Sequence, residues 1–575
     1  MNRRSLPTLL QEMPLVRLRA LAARHALGNE GTPQSELVEL LTTHLTRQET
    51  INRLLDEMSE SSRAALDLLL AHNGQMASHR LQRDPLGGEL RRLGAGAMER
   101  LQPWAHPLSP VEDLYYLGLL YEDFGILEEF RGQLLFIPSE IQPLLPPVSQ
   151  PIRTFSLTPL EGMPPGVRAA TLDLVEDAFR VMSDLQRHHV YGVKGRFLPT
   201  EALHRINDRL THPEAAAALH HERDSQRLAL LMHLLRALRL IDETPDGLLK
   251  PDLPLARRWL QLPKGRRLLT LQRAWADDGL WNDLWRVPTL RPEQSGWRND
   301  PHRARMALMG WMAHLPNDGW IDVGQWMRAI KLNDPDFQRP DGDYNSWYIR
   351  HAENGALLHG WSNWEQVEGA LIQYYLHGPL FWLGIVDLGY LVPSDKNPFA
   401  FRLTPWGQRW LGREVTLPPE ADSTPIIVSA DGVVHAPRGT DDWVRLHLER
   451  LTEPVANQAD SYRLDKGRLM AELAAGTELE KVLRFLEGAG NGYLPEEVVT
   501  RMRRWAGGYG RVSISNPWLL EVDDPKLLRD LRRMPHLSHY FDRPIGPNAV
   551  ILSAEAHDAV IEALRKAGYP PRIDD

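Results

Sequence analysis

The residues in this sequence whose types and spacing could do chemistry are mostly arginines. Arg257, Arg258, Lys264, Arg266, Arg267 and Arg273 lie between Asp252 and Asp277 with no acid among them, and Trp259 and Trp275 fall within the run. Such a run suits phosphate contacts, which are salt-dependent and indifferent to base sequence. Its plainer role is a solvated surface face. A second group, Arg501, Arg503, Arg504 and Arg511, occupies an acid-free stretch from Val498 to Trp518. A helical wheel puts Val498, Met502 and Trp505 on one core-facing stripe, with Arg501 and Arg504 on one flank and Arg503 on the other. Glu497 and Arg501 are spaced to pair at i,i+4. Gly507, Gly508 and Gly510 then stop the helix and turn the chain into a strand-like "RVSI". These glycines follow a helix, whereas phosphate is favoured at a helix amino end, so the stretch is not a phosphate cradle.

Other chemistry is poorly represented. No glycine-rich loop ends in Gly-Lys-Ser/Thr, no Asp-Glu-x-Asp/His box follows, and neither a His-Glu-x-x-His helix nor a Gly-x-Ser-x-Gly elbow occurs. The chain is therefore expected to be no enzyme and to carry no cofactor. Asp334, Asp336, Asp341 and Asp343 in "NDPDFQRPDGDYN" are the one acidic cluster with a bearing on metals. A metal-dependent nuclease is the catalytic alternative they leave open, against a solvated loop. His188-His189 and His220-His221 are adjacent pairs that point ~100° apart on a helix, a poor geometry for ligation. The many tryptophans between Trp311 and Trp410 sit among apolar neighbours and are expected to pack as core.

The elements that position these residues form a repeated pattern. "LVRLRALAARHALGNEGTPQSELVELLTTHL" is a short helical hairpin within residues 1–50, with Leu15, Leu18 and Leu21 on one face and Leu37, Leu40, Leu41 and Leu45 on the other helix. Residues 51–150, 165–262 and 263–415 each predict helices followed by short strands with Asp-Gly, Pro or Asn at the turns, a winged-helix-like order. Proline-rich joints at 144–165 and 416–425 separate the segments. Beyond Pro425 the texture changes. "PIIVSADGVVHAP" is a hairpin around Asp431-Gly432, Asp465 caps a helix ending at Gly476, and Ser553 caps another ending at Gly568. The fold class is mainly α with small β elements (α+β): tandem winged-helix-like units and an α/β unit over 425–575.

At 575 residues the chain is too long for one core. Its absence of cysteine excludes disulfides, thiolate zinc sites and cysteine nucleophiles. No apolar run approaches the ~20 residues needed to cross a bilayer, and "MNRRSLPTLLQEMPLVRLRAL" has no apolar core before a cleavage site. The expected location is cytoplasmic, with no membrane partner. A net charge of −9 argues against a basic coat over the whole molecule and leaves any nucleic-acid contact to local arginine groups.

Three stretches resemble known families. The hairpin of residues 15–45 resembles the SAP module, a small DNA-binding helix pair, with Pro33-Gln34 where that module carries a basic residue. "RRLGAGAMERLQPWAHPLSPVEDLYYLGLLY…LLFIPSEIQPLLP", residues 91–146, is similar to the amino-terminal region of bacterial proteins grouped with the XPB-type DNA helicases. "PIIVSADGVVHAP", "YRLDKGRLMAELAAGTELEKVLRFLEGAGNGYLPEEVVTRMRRWAGGYGRV" and "VILSAEAHDAVIEALRKAGYPPRI" resemble the helicase-associated domain of the same family, which accompanies two motor domains in full-length members. The resemblance implies a DNA-related, helicase-associated role, and the missing motor motifs withhold the helicase activity from it. The expected function is a non-catalytic DNA-binding or helicase-associated factor working with a separate helicase or ATPase. A protein-interaction scaffold built from winged helices is the alternative without DNA. The candidate DNA-contacting residues are Arg501, Arg503, Arg504, Arg511, Arg257, Arg258, Lys264, Arg266 and Arg267.

Overall fold

The computed structural model of the chain describes residues 4–29, 31–127, 130–147, 157–194, 197–392, 394–420, 422–456, 458, 460–508, 518–553 and 557–573. Helix predominates, with short strands in small antiparallel sheets, which makes the fold α+β. The chain divides into two compact units, Met1–Thr424 with Gly439–Glu449, and Pro425–Arg438 with Arg450–Asp575.

In the first unit one element order recurs three times. The first module runs Glu60–Ala71, strand Gln75–Ala77, helices Ser78–Arg83, Ala95–Leu101 and Pro110–Tyr116, then strands Tyr121–Leu127 and Phe130–Phe136. The second runs Asp173–Arg187, strand Val190–Tyr191, helices Thr200–Arg209 and Arg227–Ala237, then strands Ile241–Glu243 and Leu248–Pro251. The third runs Pro301–Ala313, strand Ile321–Asp322, helices Val323–Asn333 and Ala370–Tyr375, then strands Val386–Tyr390 and Ala400–Leu403. In each sheet the last strand lies between the other two, so the first strand pairs across the module with the final one. A fourth strand, Gly166–Arg168, adds to Val386–Tyr390 in the third sheet.

Among the described residues of this unit, two large apolar cores are formed. One extends from Leu6 to Leu145 and joins the amino-terminal helices to the first module. Leu18, Leu21, Leu37, Leu41 and Leu45 are buried in it, while Leu15 and Leu40 remain at its exposed edge. The other core extends from Leu174 to Leu446 and is shared by the second and third modules. Among the tryptophans of the third module, Trp326 and Trp364 are fully buried and Trp320 nearly so, while Trp311, Trp361, Trp382, Trp406 and Trp410 are partly buried against the larger core.

The last helix before the closing strands is sealed in every module. Pro110–Tyr116 buries Val111, Glu112, Leu114, Tyr115 and Tyr116. Arg227–Ala237 buries Arg227 through Met232, Leu234 and Leu235. Ala370–Tyr375 buries Leu371, Ile372, Tyr374 and Tyr375, and the wider π turn that continues it buries Leu376, Gly378, Pro379 and Leu380. Their apolar positions fill the core, and the charged groups that go in with them are paired: Glu112 with Arg91 and Arg227 with Asp177.

Charges enter these cores in matched sets. Arg305 and Asp283 are both fully buried and meet at 2.7 Å. Arg305 also donates to the carbonyls of Trp275 at 2.7 Å, Asp278 and Trp281, and Asp283 accepts from the Trp281 indole N–H at 3.1 Å. Burial pushes the Asp283 carboxyl above its ordinary range, against the pull of Arg305. Arg339 and Glu368 form a second such pair at 2.5 Å, and Arg227 meets Asp177 at 2.8 Å.

The second unit holds a four-stranded antiparallel sheet in the order Ile427–Val428, Val433–His435, Ser461–Leu464, Thr452–Pro454. Gly432 takes a φ of +86° in the expected Asp431-Gly432 turn, and Asp465 caps Lys466–Ala474 by accepting from the Arg468 N–H at 2.9 Å. Helices Leu479–Ala489 and Glu496–Ala506 follow. A three-stranded sheet, Leu519–Glu521, Ala549–Leu552, Phe541–Pro544, then packs Leu528, Leu531, Leu537, Val550, Val560 and Leu564 into a separate small core. No described helix is long and apolar enough to cross a membrane.

Two outcomes follow from the buried charges. Asp283→Asn or Arg305→Met leaves the other group sealed without its counter-charge, and each is expected to cost about 3–5 kcal/mol in the denaturant unfolding of the first unit. His25, pushed down to about 4 by burial and then by the neighbouring His44, resists protonation in the folded state. Below pH ~6.5 the unfolded chain takes that proton first, so stability present at neutral pH is lost as pH falls towards about 4. Thermal melts of wild type should decline across this window, and those of His25→Gln should decline less.

Candidate nucleic-acid interface

The helices that carry the first basic run divide it by direction. Asp252 caps Leu253–Leu260 by accepting from the Leu255 N–H at 3.0 Å, and the helix turns Ala256, Trp259 and Leu260 inward, leaving Arg257 and Arg258 outside. The Arg257 guanidinium lies 5.6 Å from the Trp443 ring centroid. In Lys264–Ala276, Arg267 turns into the core and is 4% exposed. It meets Asp442 at 2.6 Å and donates to the Leu262 carbonyl at 2.9 Å. The Lys264 ammonium pairs with Glu176 at 3.4 Å. The free backbone N–H groups of this helix's start, Lys264 and Gly265, each donate to Glu420 at 2.7 Å. A carboxylate of the protein thus holds the place an anion would take. Arg267 is thus taken up by the protein's own core, and Lys264 by a partly exposed ion pair. Arg257, Arg258 and Arg266 stay exposed.

Arg267 also explains the segment Gly439–Glu449, which packs within the first unit. Asp441 caps Asp442–Leu448 through the Trp443 and Val444 N–H groups, and the helix buries Leu446 in the larger core. At its end Glu449 accepts from the Ser183 hydroxyl at 2.8 Å and pairs with Arg187.

The second arginine group is positioned by Glu496–Ala506, where Val498 and Met502 face inward as expected. Trp505, the third member of that stripe, is partly buried. Arg501 reaches across to the hairpin turn and donates to the carbonyls of Ala430 at 2.9 Å and Asp431 at 2.5 Å, in place of the expected pair with Glu497. A side chain at Gly432 would stand 2.6 Å from that guanidinium, a second reason for glycine there besides its positive φ. Arg501 is therefore a positioning residue for the turn. Arg503 meets Glu480 at 3.3 Å with both side chains about 60% exposed, a pair worth little in water. Arg504 is exposed. Arg511 and the expected "RVSI" strand lie outside the described residues.

A basic face that the sequence reading passed over lies on Pro525–Arg533. Leu528 and Leu531 are buried, and Lys526, Arg529, Arg532 and Arg533 all point to solvent with Asp530 as the one acid among them. Asp524 caps the helix through the Lys526 N–H at 2.8 Å. Arg543 is exposed on the nearby strand Phe541–Pro544. The signal was present as leucines at 527, 528 and 531 alternating with cations at 526, 529, 532 and 533. Among the described residues none of these four cations has an ion-pair partner.

Three of the four aspartates of 334–343 are engaged by the protein. Asp336 accepts from His79 at 2.9 Å and from the Tyr344 hydroxyl at 2.9 Å. Burial raises its pKa, but the His79, Tyr344 and Arg80 contacts together bring it below the ordinary value. Asp334 lies 3.6 Å from Arg80 and is pushed up by burial. Asp343 caps the Asn345 and Ser346 N–H groups, and Asp341 is exposed. Among the described residues no three His or carboxylate side chains gather as a metal site. His188 instead bonds the Asp184 carbonyl of its own helix at 3.1 Å.

Residues 426–544 match the family described as helicase conserved C-terminal domain, so this stretch is similar to a helicase-associated domain. The match spans the Arg501–Arg504 helix and the whole of Pro525–Arg533. No curated protein matches the chain.

Arg501→Ala should lower the stability of the second unit by about 1 kcal/mol through loss of its turn contacts. Arg503→Ala should change it by no more than ~0.5 kcal/mol. Chemical denaturation followed by emission from the unit's tryptophans distinguishes the two.

Proposed function

We propose that the chain is a non-motor, helicase-associated DNA-binding factor that acts with an ATP-driven motor supplied from outside these 575 residues. The observation that carries this reading is the match of 426–544 to a helicase C-terminal domain, in a sequence that contains neither a phosphate-binding loop nor an acidic metal box. The likeness of residues 91–146 and 425–575 to XPB-type proteins supports the same reading and a cytoplasmic location.

The exposed cations suggest how DNA is held. Lys526, Arg529 and Arg533 recur on one face of a nine-residue helix, a spacing suited to the phosphates of a backbone and not to one base pair. The exposed Arg503 and Arg504 add charge in the same matched segment. Binding of this kind is sequence-tolerant.

The scaffold reading also has an observation in its favour. A winged helix that reads DNA presents its last helix to the major groove, and the corresponding helices of the three modules are buried. Winged-helix-like modules closed in this way serve as protein-facing supports. Their exposed part is the wing, where Phe124 and Ile126 stand 63% and 53% exposed on one face of the first hairpin. The two readings combine in one molecule: modules that hold partners, and a helicase-associated domain that holds DNA.

The test is salt-dependent binding of the full chain to a duplex of arbitrary sequence. With about four phosphates neutralised, log Kd should rise with log salt at a slope of roughly 3.6. Arg529→Glu with Arg533→Glu should weaken binding and reduce that slope by roughly 2. ATP should not be hydrolysed by the chain alone. DNA-stimulated turnover by the purified chain, or duplex binding indifferent to salt, would contradict the reading.

A further inference from the structure

A column of stacked side chains runs out of the larger core and stops at the surface. Glu368 holds Arg339 in a buried ion pair, and the Arg339 guanidinium lies 4.1 Å from the Trp347 ring centroid. Trp347 stacks on Trp297 at 4.9 Å with the planes within 16°. Trp297 stacks in turn on Trp285 at 6.1 Å and 25°. The Trp297 indole N–H donates to the Glu293 carbonyl at 2.9 Å, which fixes that ring in its own loop. Trp347 is 7% exposed, whereas Trp285 is 39% exposed. Trp285 has no further ring or cation stacked on it among the described residues.

A column formed for packing alone would be expected to end under a side chain that covers its last indole, because an exposed tryptophan forfeits much of its large apolar burial. Here the inner end is anchored by the buried Arg339–Glu368 pair and the outer end is open. The surroundings select what the free end takes. Arg298 follows Trp297 in the chain, and Arg291 lies on strand Leu290–Pro292, next to the short 3-10 turn Asp283–Arg286 that carries Trp285; both arginines are exposed. Glu293, the acid of this edge, is already paired with Arg350 at 3.0 Å.

We infer that Trp285 is a stacking platform for an unpaired base of single-stranded nucleic acid, with Arg291 and Arg298 contacting the adjoining phosphates. Aromatic faces accept any base, since every base has a π-face, and duplex DNA hides those faces in its own stack. The inference deepens the helicase-associated reading and rests on it, because a partner of a DNA motor meets separated strands. It assigns the single strand to Trp285 and leaves the duplex to the basic helix Pro525–Arg533.

The experiment uses the full chain, a fluorescein-labelled oligothymidylate of about 20 nucleotides and a duplex of the same length, with anisotropy as the readout. Trp285→Ala should weaken the oligothymidylate by about 10-fold or more while the duplex affinity stays within about 2-fold. Trp285→Phe, which keeps an aromatic face, should restore most of the loss and retain the wild-type melting temperature. Arg291→Ala with Arg298→Ala should reduce the salt dependence of oligothymidylate binding only. Oligothymidylate affinity unchanged in Trp285→Ala, or lost in parallel with duplex affinity, overturns the inference and leaves the helicase-associated reading standing. Wild type that binds the duplex and ignores the oligothymidylate does the same. Wild type that binds neither overturns both. Self-association or proline-rich-peptide binding abolished by Trp285→Ala, with oligothymidylate binding intact, assigns the platform to protein and also overturns it.

Discussion

A guanidinium sealed from water must meet a carboxylate and fill its remaining N–H groups with carbonyls, and Arg305 shows this constraint in full. Asp283 and the carbonyls of Trp275, Asp278 and Trp281 surround it, and neither charged group touches solvent. Removing one partner would leave an isolated charge in a medium that stabilises it poorly. The same requirement fixes Arg339 on Glu368, Arg227 on Asp177 and Arg267 on Asp442. Each pair joins segments distant in sequence, so the first unit is held in register by matched charges as well as by apolar burial.

This constraint sorts the arginines into two populations. Those that found buried carboxylates position helices: Arg267 locks Asp442–Leu448 against the larger core. Those left outside without strong pairing carry the capacity to meet an external anion. In the second unit that division falls between Arg501, which braces the Asp431-Gly432 turn, and the open cations of Pro525–Arg533. Sealing the last helix of each module has a parallel effect. On the proposed reading it removes the surface by which a winged helix would enter a groove, and leaves backbone phosphates and unpaired bases as the features of DNA to be met.

Periodicity and punctuation made much of this legible in the sequence. The helix–strand order of the three modules, the Asp465 cap, the Asp431-Gly432 turn and the inward stripe of Val498 and Met502 follow from local chemistry that short stretches carry by themselves. The missing part depends on distant partners. Nothing near Arg267 in the sequence reveals that Asp442 waits for it, so a basic run looked uniformly available when one of its members is core. The basic face of Pro525–Arg533 was readable by helical wheel and was obscured by the more compact run of arginines before it. The Trp285–Trp297–Trp347 column has no periodic signature, since its three rings come from separate loops and turns.

On the proposed reading, DNA meets the exposed cations and the open indole, and never the sealed module helices. Hydrogen–deuterium exchange of the full chain, with and without a partly single-stranded DNA, tests it most directly. The account predicts slowed exchange over Pro525–Arg533 and around Trp285 and Arg298, with Pro110–Tyr116, Arg227–Ala237 and Ala370–Tyr375 unchanged. Protection that appears in those three helices and bypasses Pro525–Arg533 would contradict it.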